Sequence, residues 1–563
     1  MVNGIENKVL GNVLSWTAIV ATLIVLPWTA FDPINVPKLA VITLGGFLAA
    51  GIFLANPRIL VIKKFRPLML VSGLFLIDLL LVLLLSGNNF YQGLFGTFGR
   101  ATGFVAYVSL TFLFIVAALV ADKLIFKKFS MALLAAGILS SLYGFFQSLG
   151  IDFFKWVNQY SPVIGFLGNP NFQSSFIGFS GIAAFGFLLS KEVKRIYRYS
   201  LLAYLILVSY VIKETDSQQG YLVLLGGITI VSLIWIPKSR FPALKYPSLI
   251  VSLIGGLIVT LGTLNKGPLA SYLYKSSVTY RGDYWQAGWK MSIEHPFLGI
   301  GLDAYGDWYR RERSIVATLR RGPDVTSNAA HNVLLDFSSN GGFPLLIIYI
   351  AIMALVLISI IRILKRMSTF DPAMSGLIAV WFAYFAQSII SLNQLGLAVW
   401  GWIISGLIIG YEINSRIEEP EKSLGNPRSQ GKSAKFIPAS RIAPKTVLTM
   451  FSGLIVGALL GLPPVIASSK FLSAMKSNDA NRVINAAYIW PSDPYRMGQV
   501  AIALANNNLQ VEALGILEDG VNEFPDEYEM WRLLSEISNA SPEQVAKAKI
   551  QMKRLDPNNP TLK

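Results

Sequence analysis

Residues 343–361 read FPLLIIYIAIMALVLISII, and Arg362-Ile363-Leu364-Lys365-Arg366 follows at once. Nineteen residues pass without a charge, close to the roughly 20 that a helix needs to cross a bilayer core. The basic cluster then ends the run on the side where lysine and arginine accumulate, the cytoplasmic side of short loops. Apolar runs of this kind recur along the chain, at 13–28, 36–55, 67–86, 103–121, 129–149, 172–190, 200–212, 220–236, 247–264, 343–361, 373–390, 393–411 and 446–467. The expected fold is therefore all-α, a polytopic transmembrane helical bundle of about thirteen spans.

Composition agrees. Of 563 residues, 53% are hydrophobic and 14% charged, whereas a soluble domain carries about a quarter charged residues. Mean hydropathy is +0.53. The first run lacks a basic flank and a small-residue cleavage site, so it is expected to be a span and not a removed leader. Cysteine is absent, which excludes disulfides, zinc–thiolate sites and iron–sulfur clusters. With His295 and His331 the only histidines, a multi-histidine metal site is not expected either. The net charge of +16 would suggest nucleic acid in a soluble protein. Here it sits between spans as a topology signal, and no nucleic-acid partner is expected.

One set of loops holds Arg58, Lys63, Lys64 and Arg66, then Lys123, Lys127 and Lys128, then Lys191, Lys194, Arg195 and Arg198. It continues with Lys238, Arg240 and Lys245, with Arg362, Lys365 and Arg366, and with seven basic residues from Arg416 to Lys445. The opposite short loops hold Arg100 and Lys155 and little else, 24 basic residues against 2. The N-terminus is then expected in the cytoplasm and the C-terminal region outside. Expected domains are a membrane domain at 1–412 with a long outward loop at 265–342, a cytoplasmic linker at 413–445, a last span at 446–467 and an extracytoplasmic domain at 468–563.

That last segment is a small soluble α-helical repeat domain by its pattern. Pro491, Pro525 and Pro557 each close a helical stretch and are spaced 34 and then 32 residues apart, near the tetratricopeptide period of about 34. A plain helical cap on the membrane domain and a protein-binding array are equally compatible with it.

The chemistry-bearing residues gather at outward edges. Ala330-His331-Asn332 precedes a span, followed by Asn340-Gly341-Gly342. A histidine there can move a proton near neutral pH, and Asn332 can bond a polar substrate; an interfacial histidine capping a helix is the plainer alternative. In Tyr280-Arg281-Gly282-Asp283-Tyr284-Trp285, Arg281 offers a bidentate fork for phosphate or a salt bridge to Asp283. Trp285 and Trp289 share a helical face, suited to a sugar ring or to the lipid interface. Arg100 stands alone in an uncharged loop, Lys213 lies in a polar turn, and Asp78 lies inside the third span, where a carboxylate is costly. Gly299 and Gly301 suggest a tight turn, not a nucleotide loop.

The order Gly99-Arg100, Gly168-Asn169-Pro170-Asn171, Arg281 with Trp285, His295-Pro296-Phe297-Leu298-Gly299-Ile300-Gly301, then His331-Asn332 with Leu335 and Gly341 resembles the O-antigen ligase and polymerase superfamily of bacterial envelope glycosyltransferases. The resemblance covers roughly Gly99 to Tyr411, and a tetratricopeptide-like tail also occurs in members of that superfamily. It implies a GT-C-like enzyme, multi-pass in the bacterial inner membrane and surrounded by its lipids. Such an enzyme moves a glycan from an undecaprenyl-diphosphate donor to a hydroxyl of a lipid, glycan or protein acceptor on the outer face. It uses no nucleotide sugar, metal or other cofactor, and the repeats leave room for a protein partner. By the same resemblance His331 is the general base or positions the acceptor hydroxyl, and Arg281 binds the diphosphate, with Asn332 and Trp285 in the substrate site. The ligases carry a second arginine just before the span at 220–236, where this chain reads Ser217-Gln218-Gln219-Gly220. Lys213 or Arg100 would then supply the second positive charge. The competing classes are a membrane transporter, which internal repeats and broken mid-membrane helices would mark, and an envelope-assembly scaffold acting through its tail.

Overall fold

The computed structural model describes residues 4–154, 156, 161, 163–416 and 442–562. Those residues are helical, with no strand among them. Helices α1 (Gly4–Leu23), α2 (Asn35–Ala55), α3 (Arg66–Leu85), α4 (Phe90–Phe95), α5 (Phe104–Val120) and α6 (Lys123–Ser148) come first. Then come α7 (Pro170–Leu188), α8 (Arg195–Glu214), α9 (Gln218–Trp235) and α10 (Lys245–Thr263). The long loop folds into α11 (Ala270–Leu273), α12 (Ser276–Glu294), α13 (Tyr305–Glu312) and α14 (Ile315–Arg321). The chain returns through α15 (Val333–Arg366), α16 (Pro372–Ile389) and α17 (Leu395–Ser415), and α18 (Pro444–Met475) leads to the tail. The tail comprises α19 (Ala480–Ala487), α20 (Pro494–Asn506), α21 (Gln510–Glu523), α22 (Tyr528–Glu536) and α23 (Pro542–Leu555).

Each of the thirteen expected spans coincides with a helix. Ten are long and apolar enough to cross a membrane, and α5 is a shorter apolar helix. The other two, α1 and α7, are more polar for their length. For α7 the reason is position: Gln173, Ser174, Ser175 and Ser180 are all buried, so they meet neighbouring helices instead of lipid. At the centre, α17 is buried at every residue from Leu395 to Gly410. At the rim, Gly262 is the one buried residue of α10.

Small residues bring the helices together, as expected where lipid gives no hydrophobic drive to associate. Gly453, Gly457 and Gly461 form a stripe on α18. A Cβ at Gly453 would lie 2.2 Å from the Phe47 carbonyl oxygen, and one at Gly51 would lie 2.4 Å from that of Thr449. The α2 and α18 backbones are therefore in near contact. The C-terminal carbonyls of α1 are satisfied by a buried lysine from α2: Lys38 Nζ donates to Ala21, Thr22 and Ile24 at 2.8–3.1 Å.

α18 runs on without a break to Met475, eight residues past the expected end of the last span at 467. The expected linker lies for the most part outside the described residues, at 417–441, as does Lys155. In the tail, α20 packs on α21 and α22 on α23. Pro491, Pro525 and Pro557 each fall just past a helix end, those of α19, α21 and α23.

The tail folds back onto the loop between α10 and α15. Asp556, fully buried, accepts from Arg313 at 2.6 Å and Arg310 at 3.5 Å. Arg310 also reaches Glu529 at 3.1 Å and lies over the Tyr528 ring, and Arg311 reaches Asp526 at 3.0 Å. Tyr495 stacks on Phe98 with centroids 4.2 Å apart. Tail and loop thus share one side of the bundle.

Candidate functional site

The site is built on a break in α15. Gly342 has φ 72°, outside the helical range, and Pro344 follows. Two helical hydrogen bonds, those to the carbonyls of Ser339 and Asn340, are lost there, and buried backbone groups must find other partners. The segment 296–301 supplies them. Phe343 N donates to the Pro296 carbonyl at 2.8 Å instead of to that of Ser339. The freed Ser339 carbonyl accepts from Ile300 N at 2.8 Å. The Asn340 carbonyl, which Pro344 has no N–H to serve, accepts from Gly301 N at 3.1 Å. Backbone lies directly on backbone: a Cβ at Gly299 would meet Ser339 O at 2.4 Å, and one at Gly342 would meet the Phe297 carbonyl carbon at 2.5 Å. The motif from His295 to Gly301 is thus a plug for the helix break, a tight turn with a purpose the sequence did not disclose.

His331 lies immediately before the N-cap of α15. Asn332 is the N-cap, its Oδ1 accepting from Leu334 N at 3.0 Å and Leu335 N at 3.2 Å, the usual remedy for free amides at a helix start. Asp336 Oδ1 accepts from Ala330 N at 2.8 Å. Between these two anchors His331 takes φ 53°, an uncommon value for a side chain of its size. Its ring stacks on Tyr284, with centroids 5.4 Å apart.

α12 carries the opposing wall. It packs on α15 through Ser292 Oγ, which donates to Ser338 Oγ at 2.8 Å, and at Gly288 it lies against Tyr305 and Ala330. Tyr284, Ala287, Met291, Ile300, Ala304, Tyr305, Tyr309 and Ala330 form a small core beneath the site. Arg281 Nε donates to the Ile390 carbonyl at 2.7 Å, and its Nη1 reaches Ser277 at 3.4 Å. It has no carboxylate partner among the described residues. Asp283, its expected partner in the plainer reading, is taken by Arg320 from α14, at 2.5 and 2.6 Å. Trp285 is half-buried, and its indole Nε1 is buried without a hydrogen-bond partner among the described residues. Trp289 is exposed, edge-on to Phe343.

The candidate residues do not all converge. Arg100 is buried, 3.3 Å from Asp303 Oδ1, with Nη1 donating to the Asn328 carbonyl at 2.8 Å. Asp303 in turn accepts from Thr97 N at 2.8 Å and Thr102 Oγ1 at 2.9 Å, so Arg100 is part of a closed polar knot. Lys213 is exposed at the end of α8 and pairs with Glu214 at 3.5 Å; among the described residues none of its contacts reaches His331. A residue that the sequence reading missed touches the same tyrosine as His331. Arg321, on α14, lies over the rings of Tyr280 at 4.6 Å and Tyr284 at 5.6 Å, and donates to the Tyr284 hydroxyl.

Burial, and then the positive charges of Arg281, Arg100 and Arg321, push the His331 imidazole down to about 3 from an ordinary 6.5. It is neutral at physiological pH, able to accept a proton and surrounded by fixed positive charge. Burial also lowers the Arg281 guanidinium from its ordinary value. The described residues contain no group of three or more His, Asp or Glu poised to hold a metal ion.

Residues 203–350, from α8 into α15, match the family model described as O-antigen ligase. The matched stretch contains Arg281, Arg321 and His331. No curated protein matches the chain.

Proposed function

With the O-antigen ligase match across the segment that bears Arg281 and His331 as premise, we propose that this multi-pass membrane protein transfers a glycan from an undecaprenyl-diphosphate carrier to an acceptor hydroxyl. The family implies a glycosyltransferase of ligase or polymerase type. The observation that carries the reading is a neutral His331 beside a guanidinium, Arg281, that no described carboxylate neutralises. Such a site attracts an anion, and a bound anion raises the proton affinity of the imidazole beside it.

The reaction is one displacement. The acceptor oxygen attacks the anomeric carbon as its proton passes to His331. The bond from that carbon to the carrier's diphosphate breaks, and its electron pair stays on the diphosphate oxygen. Arg281 faces the charge that develops there. Fixed donors of this kind are worth about 3 kcal/mol each in comparable sites, and a positioned base contributes about a hundredfold or more. Attack from the face opposite the leaving group inverts the anomeric configuration; a product of retained configuration overturns this step. The charge bias of the loops, 24 basic residues against 2, supports a site on the outer face of the inner membrane.

The test is glycan profiling of a deletion strain complemented with wild type, His331→Ala or Arg281→Ala, each at equal membrane abundance. Both variants are expected to accumulate carrier-linked glycan and to lack the surface product. Full restoration by both removes these residues from the chemistry and favours a transporter or scaffold.

A further inference from the structure

The donor's leaving group carries two phosphates, and Arg281 can face only part of it. The other cations near the site differ sharply in what they are already doing. Arg100 is buried against Asp303 and the Asn328 carbonyl. Arg320 Nη1 donates to both carboxylate oxygens of Asp283. Lys213 is exposed on Glu214. Arg321 has no carboxylate partner among the described residues. Its guanidinium is held by two tyrosine rings and one hydroxyl, contacts that orient the planar fork and leave its charge uncompensated.

Resting on the functional reading above, we propose that Arg321 is the second diphosphate-binding cation, sharing the carrier's diphosphate with Arg281. Three features set it there. Tyr284 touches both Arg321 and His331, so the cation stands one ring away from the imidazole. Tyr280 and Arg281 are neighbours on α12, so the Tyr280 ring under Arg321 and the Arg281 guanidinium spring from one helical turn. The Arg320–Asp283 pair clamps α14 to α12 one residue earlier, fixing the backbone from which Arg321 projects. Two guanidiniums that act on one histidine and have no carboxylate partner among the described residues suit a diphosphate, with its two charged groups, better than a monophosphate.

The experiment uses the full chain in nanodiscs, with farnesyl diphosphate and farnesyl monophosphate as probes. Wild type is expected to prefer the diphosphate. Arg321→Ala is expected to weaken diphosphate binding about ten- to a hundredfold, the range of one charge-assisted hydrogen bond. Monophosphate binding should change little, so the preference collapses, and Arg321→Lys should restore part of it. A merely structural arginine would weaken both probes alike. Should Arg321→Ala fail to fold, Arg321→Gln, which keeps the donor to Tyr284 without the charge, is read in the same way. Wild-type preference that persists in the variant overturns this inference alone. Absence of diphosphate binding in wild type overturns the functional reading and this inference with it.

Discussion

His331 is expected to remain neutral in the free protein well below pH 6. Burial is the first cause and Arg281 the second, followed by Arg100 and Arg321, and together they set the imidazole at about 3. The gap from 6.5 corresponds to roughly 5 kcal/mol against the charged form. The sign follows from linkage. The unfolded chain takes up a proton at 6.5 and the folded chain does not, so stability is full above 6.5 and falls as pH drops toward 3. At pH 5 the loss is roughly 2 kcal/mol. A bound diphosphate brings negative charge against the same guanidiniums and raises the imidazole's proton affinity; reciprocally, diphosphate binding tightens as pH falls. The chain has two histidines, so protein labelled with nitrogen-15 histidine gives two sets of ring signals, separable with His295→Gln. In the free protein the His331 signals should not move between pH 8 and 5. Farnesyl diphosphate should bring their titration upward. Arg281→Ala should raise it more than Arg321→Ala, in the order of the two charges' influence. A titration near 6.5 in free wild type, or one that diphosphate leaves in place, refutes the electrostatic account of the site.

Further expectations concern the scaffold. Gly299→Ala puts a Cβ 2.4 Å from the Ser339 carbonyl oxygen at φ 61°; neither backbone can yield, and a loss of roughly 3 kcal/mol is expected in thermal unfolding, from overpacking plus left-handed strain. Asp556→Ala leaves Arg313 buried without its carboxylate, while Arg310 keeps Glu529, a loss of about 3–5 kcal/mol in sites of this kind; faster tryptic release of the tail is the readout, and wild-type resistance counts against the clamp. Burial raises Glu527 from 4.5 to about 7, and Asp307, across the same cavity of about 510 Å³ between loop and tail, is raised as well. Folded carboxyls raised in this way favour the docked tail at low pH and weaken it as pH rises from 4.5 through 7. Glu527→Gln should therefore stabilise the protein at pH 8 and leave it unchanged at pH 4; equal unfolding midpoints for variant and wild type at pH 8 refute this.

The spans were legible because lipid imposes a simple demand: about 20 uncharged residues in a row. Even α7, polar for a span, showed as the run at 172–190, and in the structure Asn169 caps its start with Pro170 following. His331, Asn332, Arg281 and Trp285 were legible as residue types in an order. What Asn332 does was not, since the same side chain can cap a helix or bond a substrate, and here it caps. The pairing of Arg281 was not legible either. Sequence proximity offered Asp283, yet two residues apart on a helix point to different faces, and Arg320 took the carboxylate from another helix. Arg321 was invisible for the same reason. α14 is seven residues long, too short for a periodic signal, and its arginines acquire meaning only where α14 meets α12. The motif from His295 to Gly301 stood out, but its work depends on a helix break some forty residues downstream.

The clamp between Arg313 and Asp556 joins residues 243 apart. Four long helices, α15 to α18, lie between them in the chain. A ribosome that has just delivered α12, α13 and α14 has therefore made a segment whose anchor does not yet exist. The anchor arrives only after those four helices have been threaded and the tail has joined the loop on its side of the bundle. Until then the short helix bearing Arg320 and Arg321 lacks the buried carboxylate that steadies the stretch before it. A chain stalled after α15 and before the tail would carry Arg281, Arg321 and His331 and still lack the buttress behind them. In this architecture the stretch that carries Arg310 and Arg313 is buttressed only once the tail has docked.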